Sequence, residues 1–162
     1  MTRFALVVPF PETAPLVDDW RERTCLSKPS HGVPPHVTLL VPSPHDEEAI
    51  AEALAPFGPF DVAFVRVDRF PGTLWLAPEP VESFRSMIET LVARFPEHPP
   101  YGGVFGDAVP HLTVAQEELA AAAAALEPAL PVRARAEGAL LLEQVRDDRW
   151  REAASFPFVE RP

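Results

Sequence analysis

The chain has 162 residues, 24 acidic against 14 basic side chains for a net charge of −10, 47% hydrophobic residues, 21 prolines and one cysteine. This size and apolar share predict a single domain over residues 1–162, with one core or two small sub-cores around a cleft, and exclude a disordered chain. The acidic balance opposes a large footprint on duplex DNA, and the lone Cys25 excludes disulfide scaffolds and cysteine zinc knuckles and suits a cytoplasmic protein.

The N-terminal apolar stretch, Phe4 to Phe10, is too short for a secretory core. No run approaches the about twenty apolar residues that span a bilayer, so no membrane partner is expected. In chain order, Arg3 to Phe10 is a β-branched and aromatic run closed by proline and predicts a buried strand. Ala14 to Arg23 predicts a short helix with Leu16 and Trp20 on one face. After a turn-rich stretch from Ser27 to Pro35, His36 to Val41 predicts a strand that Pro42 ends. Acidic residues precede Ile50 and Leu54 at helical spacing, so a helix starts near Ser43 to Asp46 and runs to Leu54. Phe60 to Phe70 alternates and turns at Pro71-Gly72 into Thr73 to Ala77, a hairpin. Pro80 to Phe95 is the clearest helix, its apolar residues recurring at three and four until Pro96 stops it. A loop from Pro96 to Pro110 leads into a strand from His111 to Ala115 and an alanine-rich helix from Glu117 to Leu126. Val132 to Ala136, Ala139 to Val145 and Trp150 to Phe158 predict strands, with a turn at Asp147-Asp148. The mixture is α+β with mainly antiparallel pairs.

One local pattern occurs twice: Pro35-His36-Val37-Thr38-Leu39 and Pro110-His111-Leu112-Thr113-Val114. The chain's own composition predicts about 0.006 copies of it by chance, so two copies carry information. They lie 111 − 36 = 75 positions apart, each in a strand followed closely by a helix, which predicts two similar lobes. Strand alternation puts His36 with Thr38, and His111 with Thr113, on outward faces while the aliphatic neighbours enter a core. With those faces opposed across a cleft, two imidazoles and two hydroxyls converge.

That inventory suits phosphoryl transfer at a phosphodiester. A neutral imidazole takes a proton from an attacking hydroxyl or water, and an imidazolium gives one to the departing oxygen, both forms being accessible near an unperturbed pKa of about 6.5. Threonine hydroxyls donate to non-bridging phosphoryl oxygens. The arrangement needs no cofactor and no metal, and two histidines without a carboxylate fall short of a zinc site.

The paired motif resembles the 2H phosphoesterase superfamily, which includes the 2′-5′ RNA ligase-like proteins of bacteria, and the resemblance extends over nearly the whole chain. It implies a bilobal, pseudo-twofold fold of two mainly antiparallel sheets flanked by helices with a central cleft. It further implies metal-independent action on 2′,3′-cyclic phosphates or 2′-5′ linkages, with His36 and His111 as the acid/base pair and Thr38 and Thr113 as phosphate ligands. The expected partner is a small nucleotide or an RNA terminus carrying a cyclic phosphate, and the expected state is a monomer. Many relatives carry an arginine three residues after the second threonine, where this chain has Gln116, which lacks the charge assistance of a guanidinium. The alternative reading of the same cleft is a non-catalytic module that holds a nucleotide or RNA end.

Tyr101, in the glycine-rich loop before the second motif, is a candidate substrate-binding residue that stacks on a base, and Phe10 and Phe105 are weaker candidates better read as core. His31, His45 and His98 lack the repeat and read as surface residues. Trp20, Trp75 and Trp150 read as core anchors, and Cys25 as a small buried residue. Of the 14 lysine and arginine residues only Lys28 is lysine, a bias that suits planar phosphate or carboxylate contacts but is better read as the mark of a GC-rich genome.

Overall fold

A computed structural model describes residues 2–99 and 109–160. Its strands are β1 (Phe4–Pro9), β2 (His36–Leu40), β3 (Phe60–Phe70), β4 (Thr73–Glu79), β5 (Leu112–Ala115), β6 (Val132–Ala136), β7 (Gly138–Arg146) and β8 (Arg149–Pro157). The helices are α1 (Ala14–Thr24), α2 (Glu47–Leu54), α3 (Glu82–Arg94) and α4 (Leu119–Leu126). The predicted elements are all present, with ends shifted by a few residues. Asp46 lies just outside α2 and caps it, its carboxylate accepting from the Ala49 N–H at 3.1 Å. No described helix is long and apolar enough to cross a membrane.

The eight strands form one antiparallel sheet in the order β6-β3-β4-β5-β2-β1-β7-β8. The two sheets expected from the sequence are its halves, four strands each, joined edge to edge by β2 and β5. The junction is narrow: Val37 and Leu112 are its one register pair. In that register Pro35 and Pro110 fall at the two ends of any longer ladder, and proline has no N–H to extend it. Each half repeats one chain path. β1-α1-β2-α2 on one side matches β4-α3-β5-α4 on the other, so the two strands next to the junction follow in the same order on both sides, β2 then β1 and β5 then β4, while the outer pairs β7-β8 and β3-β6 are reached by different connections. The halves are also tied crosswise, α1 packing on β5 and α3 on β2.

Alternation along the motif strands decides which residues reach the core. Val37, Leu39, Leu112 and Val114 are buried, while His36, Thr38, His111 and Thr113 are half-buried on the other face. The core joins these aliphatics to Phe84, Met87 and Leu91 of α3 and to Ile50 of α2. Phe10 belongs to it as well, edge-on to Phe64 with centroids 5.1 Å apart, so it is not a platform for a base. A separate small apolar cluster, Ala5, Val7, Val33 and Leu142 with Val41 and Trp150, sits on the opposite face of β1, β2 and β7.

Candidate active site

The four residues singled out by the repeat line one cleft of about 300 Å³. The motif strands do not oppose each other across a gap; they are neighbours in one sheet, and the motif side chains meet because both pairs project from the same face. Extending the Val37–Leu112 register by one residue each way sets His36 beside Thr113 and Thr38 beside His111. The histidines then occupy the diagonal positions of an antiparallel pair, which lie about 7–8 Å apart.

Both imidazoles are anchored in the same way. His36 Nδ1 lies 2.7 Å from the Pro34 carbonyl and His111 Nδ1 lies 2.6 Å from the Val109 carbonyl. A carbonyl only accepts, so Nδ1 carries the proton and donates in each ring, which makes Nε2 the basic nitrogen of the neutral form. Each carbonyl stands two residues before its histidine, next to a proline, so the anchor is built into the repeat itself. Phe70 and Trp75 flank His111, with ring centroids 5.0 and 5.7 Å from it, and hold its plane.

His36 has a further neighbour that the sequence did not disclose. Arg21 of α1 is 2% exposed and turns its guanidinium onto the backbone before the first motif. It donates to the carbonyls of Ser27 at 3.2 Å, Val33 at 2.8 Å and Pro34 at 3.2 Å, and pairs with Asp18 at 2.9 Å. Pro34 is the carbonyl that anchors His36, so one oxygen joins arginine and histidine. Burial pulls the His36 pKa down to about 4, the Arg21 and His111 charges add to the fall, and the Pro34 bond opposes it. Burial lowers His111 as well, against the bond to Val109.

The depressed His36 value sets the sign of a pH effect on stability. Between pH 6.5 and about 4 the unfolded chain binds a proton at this position and the folded chain does not. Stability therefore falls as pH drops through that window, by up to about 3 kcal/mol at its lower end, and does not depend on His36 above it. Urea unfolding from pH 7 to pH 4 is expected to show this slope in the wild type and a clearly smaller one in His36→Asn. Equal slopes would remove the assignment.

Gln116 latches the other side of the cleft. Its side-chain oxygen accepts from Leu26 N–H at 2.9 Å and its own N–H donates to Thr24 Oγ1 at 3.2 Å, tying the end of α1 to the end of β5. Gln116 lines the cleft at the position where the relatives' arginine was expected. Cys25 lies beneath, 4% exposed, with Sγ 3.4 Å from the Val114 carbonyl; burial pushes the thiol pKa up, which keeps it protonated and unreactive. Gly32 has φ +86, and a Cβ there would come within 2.2 Å of the Trp150 carbonyl oxygen, so only glycine lets the loop before the first motif lie against β8.

Among the described residues no acidic side chain lines the cleft, whereas Arg3 and Arg21 both do. Among the described residues no group of three or more His, Cys, Asp or Glu is placed to hold a metal ion. His31, His45 and His98 are not among the lining residues. Trp75 is buried as expected and Trp20 packs half-buried against the core, but Trp150 lines the cleft rather than the main core. Tyr101 and Phe105 lie outside the described residues.

A family model of the 2′-5′ RNA ligase superfamily matches residues 9–148. The chain belongs to that superfamily. No curated protein matches the sequence. Among solved structures, Thermus thermophilus TT0787 is 21% identical with a TM-score of 0.65, over 98% of this chain and 100% of that one. A structure described as a phosphoesterase is 14% identical with a TM-score of 0.64, over 98% and 99%. Escherichia coli LigT in complex with 3′-AMP is 15% identical with a TM-score of 0.61, over 98% and 99%, and LigT complexes with ATP and NADP+ match similarly. At these identities the structures show a shared fold, over nearly the whole of each chain.

Proposed function

We propose that the chain is a phosphodiesterase that opens 2′,3′-cyclic phosphates of nucleotides or RNA ends by acid/base catalysis from His36 and His111. The observation that carries the reading is the doubled anchor: two imidazoles, each fixed through Nδ1 to the carbonyl two residues upstream, presented diagonally around a local twofold axis. In hydrolysis the neutral His36 Nε2 takes a proton from water as its oxygen bonds to phosphorus. The bond from phosphorus to one ribose oxygen breaks, and His111, as imidazolium, protonates that oxygen. The neighbouring Arg21 charge, which favours neutral His36, supports this division of roles. An anionic phosphate between the rings favours the protonated form of His111. Thr38 and Thr113 donate to the non-bridging oxygens as charge builds there. With a ribose 5′-hydroxyl in place of water attacking the cyclic phosphate, its oxygen bonds to phosphorus, the phosphorus–O3′ bond breaks with His111 protonating O3′, and the same groups join a 2′-5′ linkage.

The cleft volume, at the small end of the range of about 300–1,000 Å³ for ligand sites, supports one nucleotide unit rather than a long strand. The nucleotide complexes of LigT point the same way. Wild-type protein is expected to convert nucleoside 2′,3′-cyclic phosphates, and RNA ending in one, to monophosphates at a rate unchanged by EDTA, followed by chromatography of the products. Tight binding with no turnover of any of these substrates would favour the non-catalytic module. Loss of activity on chelation would sink the metal-free mechanism.

A further inference from the structure

The cleft does not end at the histidines. It extends along β1 over the half of the sheet formed by β2, β1, β7 and β8, and its lining changes character there. Val7 lies opposite Thr38 in the β1–β2 ladder, so it marks the phosphate end of this extension. Two residues further along β1 comes Ala5, opposite Leu142, and these with Val41 make an apolar floor. Two residues further again is Arg3. The Gln144 N–H donates to the Arg3 carbonyl at 2.9 Å, and Gln144 is the register partner of Trp150, so Arg3, Gln144 and Trp150 form one row across β1, β7 and β8. Arg3 and Trp150 both line the cleft.

Two features of that row point to a ligand. Arg3 is exposed, and among the described residues its guanidinium has no hydrogen-bond or ion-pair partner and no carboxylate lines the cleft, in a chain of net charge −10. Arg21, the other cleft cation, spends its donors on Asp18 and three carbonyls. Trp150 is half-buried against the apolar floor, and its backbone is clasped by the loop at Gly32, so the indole is a fixed wall. From Val7 to Arg3 the strand runs about 13 Å at about 3.3 Å per residue. Shortened by the reach of an arginine side chain, this is the span of a nucleoside between the ester positions of its ribose.

Resting on the phosphodiesterase reading for the placement of the first phosphate, we propose that Ala5, Leu142, Val41 and Trp150 form a nucleoside subsite and that Arg3 binds a second phosphate. The ligand is therefore a nucleotide phosphorylated at two positions, one phosphate between the histidines and the other on the 5′ side. Trp150 supplies an aromatic face for the base, a contact that does not discriminate strongly among bases. Arg3 supplies a charge-assisted fork to the distal phosphate, the cationic contact that Gln116 does not provide.

Binding is measured by calorimetry at one fixed salt concentration with adenosine 3′-monophosphate and adenosine 3′,5′-bisphosphate, so that the result does not depend on turnover. Wild type is expected to bind the bisphosphate at least about tenfold more tightly than the monophosphate, as one charge-assisted contact requires. Arg3→Gln is expected to bring that ratio to within about twofold of one while leaving monophosphate affinity nearly unchanged, and Trp150→Leu to weaken both ligands alike. A wild-type ratio near one, a ratio kept in Arg3→Gln, undiminished binding in Trp150→Leu, or failure to bind either nucleotide overturns the subsite. Binding as described without turnover of cyclic phosphates would sink the catalytic reading and leave the subsite standing; turnover without the preference does the reverse.

Discussion

Replacing His36 or His111 by alanine is expected to lower kcat for 2′,3′-cyclic phosphate opening by about 10²–10⁴-fold each, the range for losing one positioned proton-transfer group. Each imidazole removes or supplies a proton that no other cleft group replaces. The other polar side chains lining the cleft are hydroxyls, an amide, an indole, two guanidiniums and the Cys25 thiol, whose pKa burial raises, and none of these is a base near neutral pH. The double variant is expected to fall little further than the worse single one, because acid and base act in one concerted step and their losses do not add. Substrate affinity is expected to change less than kcat, since Thr38 and Thr113 still face the anion. Single-turnover rates with a nucleoside 2′,3′-cyclic phosphate check this, alongside binding of the product nucleotide. Wild-type rates in either single variant would refute the site.

Arg21→Met is expected to destabilise the protein by about 2–4 kcal/mol, toward the lower part of the range for breaking a buried charge pair because Asp18 keeps one-third of its surface exposed. The methionine fills much of the same volume but leaves the Ser27, Val33 and Pro34 carbonyls without their shared donor. At about 2–4 °C per kcal/mol for a domain of this size, Tm should fall by roughly 5–15 °C. A second effect separates a positioning role from a merely structural one. Removing the guanidinium charge removes one of the causes that hold the His36 pKa down, so the acidic limb of the kcat/KM pH profile is expected to move to higher pH. Arg21→Lys keeps the charge without the fork and is expected to restore the limb more fully than the stability. A variant as stable as wild type with an unmoved acidic limb would end this account.

Much of the site was legible because its key residues are local. A Pro-His-aliphatic-Thr-aliphatic string encodes a strand, its inward and outward faces and even the imidazole anchor, since the carbonyls of Pro34 and Val109 belong to the same short segments as the histidines. The residues that escaped notice act across distance in the chain. Arg21 sits on the predicted helix after β1, where an arginine reads as a solvated side chain, and only the return of the Ser27 to Pro35 segment over α1 buries it. Trp150 alternates in a strand much as Trp75 does, yet one enters the wall beside His111 and the other the apolar end of the cleft. Arg3 shares the period-two face of Ala5 and Val7, a signal present in the sequence but without meaning until that face is known to be the cleft.

The sequence by itself determined the order of strands and helices, the aliphatic residues that fill the core, and the two imidazoles and two hydroxyls that face away from it. Those features follow from side-chain chemistry and from the periods of helix and strand, which are read over a few residues. Only the tertiary structure decided that β2 and β5 are neighbours joined through Val37 and Leu112, that both motif faces coincide, and that Arg21, Arg3 and Trp150 surround them. Strands pair through backbone groups that are alike at every position except proline, so pairing partners are chosen by the packing of the whole core rather than by the strands themselves.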